Sequence, residues 1–196
     1  MGKEGTKVAA AMYGSAGTVT HHNTDMWGDS APQDNYTPAT FWAMGATWMM
    51  THVIEHYRFT GDKDVLRDMY PTLKAVAQFG LDFLTEHKGY MVTNPSLSPE
   101  NTFIVPTPGG SSTGQSAAVA AGPTIDNELL WEVFGFVPEA HAALGIKDVA
   151  FEKRVTDMRA RLPPLRLNQY AGIAEWMEDF EEARHHPHCL YFTWVR

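Results

Sequence analysis

The sequence has a single cysteine in 196 residues, so no disulfide can close within the chain and no covalent staple sets the fold. It also lacks any run of lysine or arginine, and 15 basic against 23 acidic residues leave a formal net charge of −8. Nucleic acid and anionic membrane both demand cationic surface to displace counterions, so neither is expected as a partner. No window reaches the roughly 18 apolar residues of a membrane span. The opening Met1-Gly2-Lys3-Glu4-Gly5-Thr6 has no apolar stretch that could act as a signal peptide. Met1-Gly2 with Thr6 formally fits a myristoylation pattern, without the polybasic second anchor that stable attachment needs. Asn35-Tyr36-Thr37 is a glycosylation sequon that has meaning only in a secreted chain, and nothing in the sequence fixes a location.

What the sequence has in quantity is bulk: ten methionines, six tryptophans, seven tyrosines and ten phenylalanines. The length suits one domain or part of one. Such an aromatic load serves either a large core or a groove for a flat ligand, of which sugars are the commonest for tryptophan and tyrosine.

Along the chain, residues 38–57 are apolar nearly all round, which predicts a helix buried on every side, opened by Pro38 and closed by Gly61. Asp62 is placed to cap a second, amphipathic helix, broken at Tyr70-Pro71 and continuing through Leu84. A β-like Gly89–Thr93 leads into the turn Asn94–Asn101, where two prolines forbid regular helix. A Gly-, Ser- and Ala-rich stretch from about Pro106 to Gly122 reads as a loop. Pro123 opens a third helix with a kink at Pro138 and a stop at Gly145, Asp148 caps a fourth to about Leu162, and Leu165–Asp179 reads as a short hairpin around Gly172. Antiparallel helix pairs with chemically loaded loops between them have the rhythm of an α/α toroid. The expected fold class is therefore all-α: a partial (α/α)₆ barrel of helical hairpins with a short β-hairpin, holding four of about twelve helices.

Three polar constellations stand out. The densest runs from His21 to Tyr36 and brings His21, His22, Asn23, Asp25, Trp27 and Asp34 into one stretch without helical period, which suits a polar ligand between aromatic walls. Adjacent histidines cannot share one helix face, so metal ligation is disfavoured there. The second is Ser98-Pro99-Glu100-Asn101: a glutamate in a rigid loop suits a general acid, but for a lone glutamate the plainer reading, a solvated or capping loop residue, comes first. The third joins Asp126-Asn127 to Glu175-Trp176-Met177-Glu178-Asp179, which strand alternation would split over two faces as a surface edge. His185-His186-Pro187-His188-Cys189 has the composition of a metal tract, but a central proline and no second ligand pair make structural zinc unexpected. No cofactor and no metal site is expected.

Five segments, taken in order over about residues 12–190, give these constellations a common origin. Thr20 to Asp34, Glu55-His56-Tyr57 with Thr60-Gly61-Asp62, Asn94 to Asn101, Gly122 to Asn127, and Glu175-Trp176 with Glu178-Asp179 resemble the catalytic domain of glycoside hydrolase family 95. That family consists mainly of α-L-fucosidases that cleave α-1,2-linked fucose with inversion, with some members acting on α-galactosides. The resemblance implies an (α/α)₆ barrel whose loops carry the site, and a fucosylated oligosaccharide or glycan as partner. It implies Glu100 as general acid, and His21, His22, Asn23, Asp25, Trp27, Asp34, Asn101, Asp126, Asn127, Glu175 and Trp176 as substrate-binding. An inverting enzyme also needs a water-activating group opposite the acid. In the family that role falls to an Asn-x-Asn motif and a distant aspartate, and these 196 residues contain no Asn-x-Asn.

The family pattern is also left behind at Arg184-His185-His186-Pro187-His188-Cys189-Leu190-Tyr191, and Pro138 inside a helix is a further departure, worth about 3 kcal/mol. The expectation is thus a catalytic domain truncated at both ends: a lead-in over 1–19, a partial barrel over 20–190 and a divergent tail over 191–196. Such a chain is expected to be inactive alone, the alternative being a non-catalytic carbohydrate-binding or vestigial helical protein.

Overall fold

The structure is a computed structural model that describes residues 2–107 and 112–183, without the side chains of 112 and 113. The histidine tract at 185–189 and the tail at 191–196 lie outside the described residues, as does the middle of the small-residue stretch. In chain order the elements are α1 (Gly2–Tyr13), α2 (Thr37–Thr40), α3 (Gly45–Thr60), α4 (Lys63–Phe83), β1 (Leu84–His87) and β2 (Tyr90–Thr93). They continue with β3 (Ser96–Leu97), β4 (Phe103–Pro106), β5 (Ser112–Ala117), β6 (Val119–Ala120), α5 (Thr124–Leu144) and α6 (Val149–Arg159).

Helix ends follow their local chemistry. Asp62 accepts from the backbone N–H groups of Asp64 (2.9 Å) and Val65 (3.0 Å), satisfying two of the orphan donors at the start of α4. Asp148 does the same for α6 through Phe151 N–H at 3.2 Å. Gly61 and Gly145 end α3 and α5 in the left-handed region, at φ 68° and 69°, where a Cβ would be penalised.

Other expectations give way to packing. Pro71 does not break α4, which runs unbroken through it. The ring lies on the exposed face, and Leu66, Leu73, Val76 and Phe79 form one buried stripe across it. Pro138 likewise sits inside a continuous α5, between Phe134, Phe136 and Val137 on one side and Ala140 on the other, all fully buried. The apolar 38–57 segment divides into α2, an irregular turn and α3. In α3 only Gly45, Ala46, Thr47, Met50 and Ile54 are buried; Trp48, Met49 and His52 line a cleft, and Glu55, His56 and the last turn are exposed. The helix buried on nearly every side is instead α5, which packs against α3, α4 and α6. At the α4–α5 crossing Gly80 allows close approach: a Cβ there would lie 2.6 Å from Leu130 Cδ2.

The first nineteen residues are joined to this core. Tyr13 packs edge-on against Phe79 and Phe83, Thr18 N–H donates to Ala75 C=O at 3.0 Å, and Ser15 Oγ donates to Asp82 at 2.7 Å. The strands form three two-stranded antiparallel sheets, β1–β2, β3–β6 and β4–β5, so the small-residue stretch is partly a hairpin arm. At 165–179 the expected hairpin reduces to a single bridge, Leu167 to Ile173. Helices thus dominate among the described residues, with a few short strands beside them, consistent with the helical domain expected. No helix among the described residues is long and apolar enough to cross a membrane.

Candidate active site

The approach of α3 to the chain before it builds one wall of the site. Gly45 opens α3 against the backbone of Thr20 and His21; a Cβ there would stand 2.5 Å from the His21 carbonyl oxygen. This close contact sets His21 and His22 beside Trp42, Trp48, Met49 and His52 around a cleft of about 240 Å³, with Thr20, Thr24 and Gly45 completing the lining. Its walls are aromatic and its rim carries imidazoles and hydroxyls, the mixture that suits a sugar's apolar face and hydroxyl edge.

His21 is a structural member of that wall. It is buried, with Nδ1 on the Ser30 carbonyl at 2.7 Å and Nε2 on the Tyr13 hydroxyl at 2.6 Å. Burial lowers the His21 pKa, partly offset by the Ser30 carbonyl, and pushes the Tyr13 hydroxyl up to about 12. His22 points the other way. Its Nε2 stands 3.5 Å from Glu100 Oε1, its ring meets the edge of Trp42 with centroids 6.3 Å apart, and its buried Nδ1 has no partner among the described residues.

Glu100 follows β3 in the Ser98–Asn101 turn, which Asn101 N–H closes onto the Ser98 carbonyl at 2.7 Å. Its side chain is 54% exposed, so the carboxylate is open to a ligand, with the His22 ring standing at one side of it. The neighbouring Asn101 is buried, its Oδ1 accepting from Thr102 N–H at 2.8 Å and its Nδ2 unpaired among the described residues.

The loop from Asn23 to Tyr36 is largely exposed, apart from the buried Ser30, and internally braced. Asp25 Oδ1 accepts from the N–H groups of Trp27 (2.9 Å) and Asp29 (3.1 Å), which holds an 81% exposed Trp27 on a fixed turn. Asp34 accepts from Thr40 Oγ1 and from Tyr36 N–H, and these bonds lower its pKa. Asn23 Nδ2 reaches the same carboxylate at 3.3 Å.

Asp126 is fully buried in the first turn of α5. Oδ1 accepts from Trp42 Nε1 at 2.7 Å, and Oδ2 accepts from Thr93 Oγ1 and Ser96 Oγ, both at 2.6 Å. Burial outweighs these bonds and pushes its carboxyl up to about 6.

Glu175, Trp176 and Met177 are all buried, against the alternation expected of a surface strand. The segment is not a strand: Thr124 N–H donates to the Glu175 carbonyl at 2.9 Å, Arg166 donates to the carbonyls of Trp176 and Met177, and Trp176 packs edge-on against Phe103. Glu175 Oε1, Trp176 Nε1 and Asn127 Oδ1 are buried without partners among the described residues, while Asn127 Nδ2 donates to the Gly122 carbonyl at 3.1 Å. Each such orphan costs about 1–3 kcal/mol unless something supplies its bond.

The structure therefore joins His22 to Glu100, His22 to Trp42 and Trp42 to Asp126, and braces Asn23 with Asp34. Sequence reasoning passed over Trp42, Trp48, His52, Thr93 and Ser96. Trp42 and Trp48 carried a signal, as large rings in a segment read as buried all round. No group of three or more histidine, cysteine, aspartate or glutamate side chains is placed to hold a metal ion among the described residues.

Residues 1–191 match the family model described as the glycosyl hydrolase family 95 catalytic domain. Alpha-L-fucosidase 2 from Arabidopsis thaliana is 37% identical over 190 residues, covering 95% of this chain. Probable alpha-fucosidase A from Aspergillus niger is 32% identical over 184 residues, covering 90% of this chain. In each case the chain spans 22% of the relative's length. The family match takes in the first nineteen residues as well as every motif named above, and the chain belongs to glycosyl hydrolase family 95 through its catalytic domain.

Proposed function

We propose that this chain carries the general-acid half of an inverting α-L-fucosidase site, with Glu100 protonating the leaving glycosidic oxygen of an α-1,2-linked fucoside. The observation that carries the reading is the pairing of Glu100 with His22 beside the aromatic cleft. An exposed carboxyl can meet the leaving oxygen, and His22 and Trp42 fix the side from which it does so. Fucose in the cleft would lay its apolar face on Trp48, which the buried Trp42 backs edge-on from behind. The exposed Asn23, Asp25, Trp27 and Asp34 are further candidates for bonding hydroxyls; the unpaired polar atoms of His22, Asn101, Asn127, Glu175 and Trp176 are buried and would do so only once the chain around them opens. These elements would form part of an (α/α)₆ barrel.

Inversion needs a water activated on the face of the sugar opposite the acid, with the two groups about 6.5–9.5 Å apart. The Asn-x-Asn that does this in the family has no counterpart in the 196 residues. Each such group is worth about 10²–10⁴-fold. The chain by itself should accordingly bind fucose and not turn over. Incubating the purified chain with 2′-fucosyllactose and measuring free fucose tests this: none is expected, and release that Glu100→Gln abolishes would overturn the inactivity.

A further inference from the structure

Asp126 spends its carboxylate in an unusual way. It sits in the first turn of α5, where an acidic side chain ordinarily accepts from the helix's own free N–H groups. Here all three of its side-chain bonds go outward, to three different segments: the turn before α3 through Trp42, β2 through Thr93 and β3 through Ser96. Trp42 is the ring against His22, and His22 meets Glu100 at 3.5 Å. Ser96 lies four residues before Glu100, in the strand that leads to its turn, and is held on the other side by pairing with Ala120. One buried group thus touches both walls that meet at the acid.

We propose that Asp126 is the positioning residue of the Glu100 site: it locks the indole behind His22 to the strand that leads into the Glu100 turn, so that the His22–Glu100 pairing depends on it. It makes no contact with substrate in this scheme. Its partners Trp42, Thr93 and Ser96 carry no charge. The titratable groups reached through them are His22 and Glu100, and Glu132 further along α5 is occupied by Arg58. When the carboxylate takes up a proton, one oxygen becomes a donor, and either Thr93 or Ser96 must turn its hydroxyl from donating to accepting. The burial that pushes the Asp126 carboxyl up to about 6 brings that exchange into an accessible range.

The inference rests on the reading of Glu100 as the acid, but its test uses no sugar, so the two stand or fall separately. The test is ¹H–¹⁵N spectroscopy of the full chain in a Glu100→Gln background, so that position 100 does not itself titrate. The Trp42 indole resonance is assigned by its loss in Trp42→Phe. The indole N–H of Trp42 and the backbone amide of residue 100 should move together through one step near pH 6. Adding Asp126→Asn should abolish both steps and shift the His22 ring protons, while the resonances of His141, clamped between Tyr70 and Glu152 elsewhere in the core, stay in place. A Trp42 indole that does not titrate, or a step confined to Trp42 with residue 100 unmoved, would overturn the proposal. If Asp126→Asn does not fold, a Glu100→Gln, His22→Phe chain decides it, because the imidazole that lies against both reporters is then gone: a joint step that persists supports the proposal and its loss overturns it.

Discussion

Asp126 also makes a thermodynamic prediction that can be worked from the structure. Burial raises its folded-state pKa from 3.8 to about 6, and unfolding returns it to the ordinary value. The folded chain therefore holds a proton between roughly pH 4 and pH 6 that the unfolded chain has released. Its contribution to stability is fully present below about pH 4 and is lost as pH rises through about 6. A rise of about two units, at about 1.4 kcal/mol per unit, puts the loss at about 3 kcal/mol. Asp126→Asn keeps the shape, keeps an acceptor for Trp42 and removes the titration. The other shifted carboxylates, Asp34, Asp62, Asp148 and Glu178, have lowered pKa values and act in the opposite sense, stabilising above their unfolded pKa and losing that as pH falls. They are common to both proteins and cancel. Urea denaturation followed by tryptophan fluorescence should show the variant gaining on the native chain by about 3 kcal/mol from pH 4 to pH 7, wherever the difference starts. A difference that is flat across that range, or that falls, would refute the burial argument.

Two further predictions probe the frame of the site. Gly45→Ala places a Cβ against two backbone carbonyls, 2.5 Å from that of His21 and 2.8 Å from that of Thr20, where no side chain can yield. It should cost about 1–3 kcal/mol in urea denaturation and shift the His22 resonances, whereas an unchanged midpoint would mean that α3 can move away freely. Arg58 binds the buried Glu132 and, at 2.8 Å, Glu139, and lies over the Phe136 ring. Arg58→Ala strands Glu132, at about 2 kcal/mol once the half-exposed arginine is allowed for. Lys153→Ala, which breaks only the exposed 2.5 Å pair with Asp157, should leave the denaturation midpoint where it was. Equal effects of the two substitutions would contradict the burial argument.

The sequence showed the helix ends clearly, because Asp62, Asp148, Gly61 and Gly145 act on their own immediate backbone. It misled where a local rule met long-range packing. Pro71 and Pro138 removed one hydrogen bond each, but a buried stripe on both sides of each proline carried the helix through. The 103–117 hairpin was hidden by small residues of low strand preference, with only Phe103, Ile104 and Val105 to announce it. The motif segments pointed to His21 and His22 in the cleft wall and to Glu100 beside them, but not to Trp42, Trp48 or His52, and gave no geometry. Trp42 and Asp126 are 84 positions apart, and only the fold shows that a carboxylate in one motif holds a tryptophan outside the motifs. The burial of Glu175 and Trp176 was equally invisible, since their neighbours come from α5 and β4.

The central claim is that the Trp42–Trp48 cleft beside Glu100 is a fucose site. Titrating L-fucose into the ¹⁵N-labelled chain tests it most directly, with the indole N–H groups as reporters. Saturable shifts at Trp42 and Trp48 are predicted, with none at Trp131, which lies under Arg159 away from the cleft. Indole resonances that stay fixed up to high millimolar fucose, or that move equally at Trp131, would contradict it.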